Sequence, residues 1–95
     1  MSILEKDPFV ELAKSVICTA LLDAVNTRDC LDRREGRAFL LASSPGWKSS
    51  LHDWCLVANV SPDRITRKAR EWEEKGWPTD KEIRGLIAQF YKQSQ

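Results

Sequence analysis

Four cations, Arg64, Arg67, Lys68 and Arg70, fall within the seven residues RITRKAR, with no acid among them. A guanidinium can grip a phosphate or the edge of a guanine through two parallel hydrogen bonds, and a lysine ammonium serves as a point charge toward phosphate. A run of this kind on one helix points to phosphate chemistry. The following acids, Glu71, Glu73 and Glu74, leave a second reading open. An exposed helix face tied by pairs such as Arg67–Glu71 and Arg70–Glu74 would neutralise itself, each pair contributing a few tenths of a kcal/mol.

Other reactive residues are sparse. His52 and Cys55 stand three apart, a possible half of a zinc site with Cys18 and Cys30. Structural zinc sites usually draw two ligands from a Cys-x2–4-Cys knuckle, and that knuckle is missing. Buried cysteines and a surface histidine are expected, with no metal and no cofactor. Asp53 cannot orient His52 from the adjacent position, and no glycine-rich phosphate loop is present, so no catalytic residues are assigned and enzyme activity is not expected.

The 95 residues carry a net charge of +1, with 42% hydrophobic and 31% charged residues. This is the composition of one globular domain spanning 1–95, with enough chain to bury a core. Near-neutral charge excludes a globally basic coat, so any anion binding must come from local placement of charge. The longest nearly apolar run, Val16 to Leu22, is far short of the roughly 20 residues that span a bilayer. The opening MSILEKDPF lacks the basic and apolar regions of a secretory leader, and the three cysteines are widely spaced. A cytoplasmic location with reduced thiols and no membrane contact is therefore expected.

Five helices must position these groups. Asp7-Pro8 starts the first, which runs to about Thr27 with Phe9, Leu12, Ala13, Val16, Ile17, Ala20, Leu21, Ala24 and Val25 on a buried stripe. A second spans Leu31 to Ala42, with Leu31, Ala38, Leu41 and Ala42 facing inward beside Phe39 or Leu40. Gly36 weakens its first half. Ser43-Ser44-Pro45-Gly46 reads as a break with Trp47 anchoring the loop, and Ser50 with Asp53 as the capping box of the third helix. That helix exposes His52 and Asp53 and buries part of Leu51, Trp54, Cys55 and Ala58, ending at Asn59. Ser61 caps a fourth helix that starts at Pro62, turns Ile65, Ala69 and Trp72 inward and stops at Gly76. Thr79 and Glu82 form the capping box of the last helix, whose stripe is Ile83, Leu86, Ile87, Phe90 and Tyr91. No segment alternates with period two, so the fold class expected is an all-α compact bundle of about five helices.

The segment Leu51 to Trp72 resembles the helix-turn-helix of small bacterial and phage DNA-binding proteins. In the run Cys55-Leu-Val-Ala-Asn-Val-Ser-Pro-Asp-Arg-Ile65, Cys55 stands at the small-residue position where the two helices cross. Asn59 stands at the usual Gly of the turn, Val60 at the apolar plug, and Ile65 at the apolar anchor of the second helix. Trp54 and Lys68 depart from the usual pattern. The RREGRAFLL stretch from Arg33 is similar to small phage or prophage accessory proteins. The resemblance implies a helix-turn-helix at 51–75 that binds double-stranded DNA and regulates transcription. Thr66 and Arg67 would reach base edges, Arg64, Lys68 and Arg70 would take phosphates, and Ser61 would cap the helix end that points at the duplex. A homodimer would set two such helices about 34 Å apart. The alternative is a helical adaptor that binds another protein, a transcription or packaging component, through Trp47, Trp72, Trp77 and the last helix.

Overall fold

The computed structural model describes residues 7–93, and the side chains of residues 7–89. Its described residues form five helices and no strand, as expected: α1 (Pro8–Ala24), α2 (Leu31–Leu41), α3 (Pro45–Ala58), α4 (Pro62–Lys75) and α5 (Asp80–Gln93). None of them is long and apolar enough to cross a membrane. The radius of gyration is 13.5 Å, near the roughly 12 Å of a compact chain of this length.

Three helices open in the same way. An oxygen-bearing side chain caps the first free amides, and proline takes the next position, where it forfeits no hydrogen bond. Asp7 accepts from the Phe9 N–H at 2.9 Å, Ser44 from Trp47 at 3.3 Å and Ser61 from Arg64 at 3.3 Å. The start of α3 corrects the sequence reading. Ser44-Pro45 opens the helix, Gly46 and Trp47 lie in its first turn, and Ser50 and Asp53 are interior residues with no capping role. The Ser-Pro pair carries the same start chemistry as Asp7-Pro8, and Gly46 costs little in a first turn. At α5 the capping box forms as expected: Thr79 Oγ1 accepts from the Glu82 N–H at 3.2 Å, and Glu82 Oε1 accepts from the Thr79 N–H at 3.0 Å. The Thr79 donors hold the Glu82 carboxyl below the usual carboxylate range.

α1 packs against α2, α3 and α5, and α2 also packs against α3 and α4. One buried cluster joins Ala13, Ile17, Ala20 and Ala24 of α1 to Phe39 and Leu40 of α2, Leu51, Cys55 and Ala58 of α3, and Ala69 of α4. The expected stripe on α1 is only partly buried. Phe9 is 71% and Leu12 52% exposed, while Lys14 is buried and pairs with Glu11 at 3.6 Å. α1 ends at Ala24, short of Thr27, and Gly36 of α2 meets it near its carboxyl end, at Ala20, Asp23 and Ala24.

The rotation of α2 also differs from the expected one. Gly36, Phe39 and Leu40 are buried, Leu31 is 64% exposed, and Ala38, Leu41 and Ala42 are half-buried. Gly36 explains this. A Cβ at that position would sit 2.8 Å from the Ala20 carbonyl oxygen and 3.0 Å from the Ala24 nitrogen, so the bare backbone of α2 is what allows α1 so close.

Arg37 follows Gly36 across the same contact. Its Nε donates to the Ala24 carbonyl at 2.8 Å, and its guanidinium lies 4.6 Å from the centre of the Trp77 ring. The neighbouring charges of α2 stay on the surface, where Asp29 pairs with Arg33 at 3.3 Å and Arg34 at 3.2 Å. Arg37 is instead half-buried, and desolvation lowers its pKa from the ordinary value. Trp77 also meets Trp72 at 5.7 Å, so the α4–α5 linker closes over the end of α4. Trp47 packs edge-on against Phe39 at 6.4 Å, from within a helix rather than a loop. On α5, Ile83 is buried and Leu86 is 41% exposed. The expected places of Phe90 and Tyr91 fall outside the described side chains.

Two substitutions test this packing. Gly36→Ala forces backbone against backbone and should destabilise the fold by about 1–3 kcal/mol in urea titration, despite alanine's better helix propensity. An unchanged midpoint would contradict the close approach. Ala42, which ends α2 in the left-handed region at φ 50°, carries a strain of about 1 kcal/mol that glycine lacks. Ala42→Gly should therefore raise the midpoint slightly.

Candidate nucleic-acid interface

α3 and α4 are separated by three residues, Asn59, Val60 and Ser61. Asn59 takes the left-handed conformation, φ 60° and ψ 47°, which an asparagine tolerates better than most residues. Two backbone bonds close the end of α3: the Val60 N–H donates to the Cys55 carbonyl at 2.9 Å and the Asn59 N–H to that of Leu56 at 3.3 Å. This reciprocal pair is the Schellman arrangement, and it turns the chain sharply into the Ser61-Pro62 start of α4. Cys55 and Ala69 are fully buried, and Val60 and Ile65 pack at the edge of the same cluster. Cys55, Val60, Ile65 and Ala69 therefore lie on the core side, although Leu56 and Val57 of α3 are exposed, and the other side of α4 is left to its charges.

That other side meets α3 along a groove with a volume of about 440 Å³. α4 contributes Asp63, Thr66, Arg67 and Arg70 to it, and α3 contributes Lys48 and His52. Leu51, Pro62 and Ala42 complete its lining. Thr66, Arg67 and Arg70 thus converge as residues three and four apart on a helix must. The other expected site residues are placed elsewhere. Lys68 pairs with Glu71 at 3.2 Å and lines a separate depression with Trp72, Pro78 and Leu86 near α5. Arg64 is exposed outside the groove, and the Ser61 hydroxyl oxygen is occupied by the Arg64 N–H.

Among the described residues the acids after Arg70 leave the three arginines of the run unpaired, and of its four cations only Lys68 takes one of them as a partner. Neither Arg67–Glu71 nor Arg70–Glu74 forms among the described residues. Glu71 pairs instead with Lys68, and neither Glu73 nor Glu74 forms an ion pair among the described residues. Arg64, Arg67 and Arg70 are all exposed, with no described carboxylate in ion-pair range.

Lys48 and His52 were not singled out for this site by sequence reasoning. The signal was their spacing of four, which places them on one face of α3 once the helix starts at Pro45. With a start at Ser50, Lys48 falls in a loop and has no face. The thiol of Cys55 lies in the core while His52 is exposed, so the two form no thiol–imidazole pair. Among the described residues no three His, Cys, Asp or Glu side chains come together as metal ligands.

Burial pushes the Cys55 thiol up to about 11. In the unfolded chain it ionises near its ordinary value, about 8.5, so between these values the folded state holds the extra proton. Stability should then fall as pH rises from about 9 to 11, by roughly 1–3 kcal/mol in total. Urea titrations across that range should show the decline, and Cys55→Ala should remove this part of it. Comparison of the chain with protein-family models, curated proteins and solved structures finds no match.

Proposed function

We propose that the chain is a helix-turn-helix protein that binds duplex DNA through the amino half of α4, as a small bacterial or phage transcriptional regulator. The observation that supports this most is the acid-free run from Arg64 to Arg70, whose three arginines stand exposed without ion-pair partners among the described residues. A self-neutralised face would have tied Arg67 to Glu71 and Arg70 to Glu74. Here Glu71 pairs with Lys68, and the arginines are left without partners among the described residues.

In this reading Thr66 and Arg67 contact base edges, while Arg64, Arg70 and Lys68 contact phosphates. Lys68 does so only by exchanging Glu71 for the duplex, so it contributes least. Ser61 orients the amino end of α4 toward the backbone. The adaptor alternative loses part of its surface, because Trp47, Trp72 and Trp77 engage Phe39, each other and Arg37. What favours it is Leu86, exposed on α5.

About four phosphate contacts give a slope of log K against log salt near −3.6, which is roughly a hundredfold loss between 50 and 200 mM salt. Anisotropy titrations with mixed-sequence duplexes should show this dependence. Arg67→Ala with Arg70→Ala should remove binding while leaving the helical circular-dichroism spectrum intact. A wild-type chain that does not bind duplex DNA at about 50 mM salt would sink the proposal.

A further inference from the structure

The groove between α3 and α4 has a chemistry of its own. Lys48, Arg67 and Arg70 bring three permanent positive charges to it, and Asp63 brings one negative charge. His52 adds a ring nitrogen and Thr66 a hydroxyl. The cations come from two helices: Lys48 and His52 are one turn apart on α3, and Arg67 and Arg70 are one turn apart on α4. A ligand in the groove is therefore flanked on two sides, as a free helix face cannot do. Lys48, His52, Arg67 and Arg70 are all exposed, so their side chains reach a ligand without leaving the core. None of the three cations has a described ion-pair partner. Asp63 and Arg67, although four apart on α4, form no salt bridge.

We infer that this groove seats a phosphate group, held jointly by Lys48 and His52 of α3 and by Arg67, Arg70 and Thr66 of α4. The volume of about 440 Å³ exceeds what one phosphate fills, so the sugar on either side of a phosphodiester fits with it. The excess of two positive charges, three cations against the Asp63 carboxylate, suits a singly charged phosphodiester. Asp63 opposes a doubly charged monoester more strongly. The inference rests on the duplex-binding reading for the natural source of the phosphate. It extends the contact surface from α4 to the first half of α3, and in it Thr66 and Arg67 meet a phosphate in place of the base edges assigned to them above. The same chemistry would also take a free phosphorylated small molecule, and the experiment separates the two sources.

The full chain is titrated with a mixed-sequence duplex by fluorescence anisotropy at several salt concentrations. Lys48→Ala should lower the salt slope by about 0.9, one released phosphate contact. His52→Ala should weaken binding severalfold, and Asp63→Asn should tighten it severalfold by removing the opposing charge. Lys81→Ala, an exposed cation on α5 outside the groove, should leave both slope and affinity unchanged. Matching circular-dichroism spectra confirm that each variant is folded. If the wild type binds DNA and neither Lys48→Ala nor His52→Ala changes slope or affinity, the seat is wrong while the duplex reading stands. If the wild type does not bind DNA, the duplex reading fails, and titration of 15N-labelled chain with inorganic phosphate decides the rest. Shifts confined to Lys48, His52, Arg67 and their neighbours would keep the seat as a small-phosphate site, and no shifts would overturn it.

Discussion

The contact of α1 with α2 at Gly36 is the constraint on which the other helices depend. A backbone carbonyl of α1 lies 2.8 Å from where a Cβ of residue 36 would be, and no other residue type fits that space without movement. Because Gly36 must face α1, Phe39 and Leu40, three and four positions on, turn into the core, and Leu31 turns out. The same rotation carries Arg37 to the carboxyl end of α1, where it satisfies the Ala24 carbonyl, and under the Trp77 ring. The α4–α5 linker is thereby tied to the α1–α2 pair. The Nε1 of Trp77 is buried with no hydrogen-bond partner among the described residues, so the ring is held by its faces rather than by its N–H.

This arrangement has an electrostatic consequence for α4. With Arg37 drawn inward, Glu73 lies within its electrostatic reach, and Glu71 pairs with Lys68. One of the acids that could have neutralised the arginines of α4 is thus engaged elsewhere. The basic character of the groove comes as much from where the acids turn as from where the arginines stand. Which cation each acid pairs with, and not the count of charges, leaves the arginines free of partners among the described residues.

The turn between α3 and α4 depends on different physics. Asn59 in the left-handed region and the two backbone bonds behind it close α3 locally, and Ser61-Pro62 begins α4 at once. Such a short connection leaves the helices little freedom of relative placement. Small residues at the core, Cys55 and Ala69, let α4 lie close to its neighbours. The groove with Lys48 and His52 follows from that proximity.

Local chemistry was legible in the chain itself. The all-helical class, the cap–proline starts at Pro8 and Pro62, the stop at Gly76, the Asn59 turn and the Thr79–Glu82 box all arise from neighbours within four residues, whose hydrogen bonds need no distant partner. The inward set Ile65, Ala69 and Trp72 was legible for the same reason, since helical spacing alone aligns it. The start of α3 was equally local, but Gly46 beside Pro45 also reads as a break, and it concealed Lys48. Only the tertiary structure decided the rotation of α2, the inward place of Arg37, the exposure of Phe9 and Leu12, and the meeting of α3 and α4 cations in one groove. Each of these depends on which backbone comes close to which. For α1 and α2 that was decided by the absent side chain at Gly36, where the sequence alone suggested only a weaker helix.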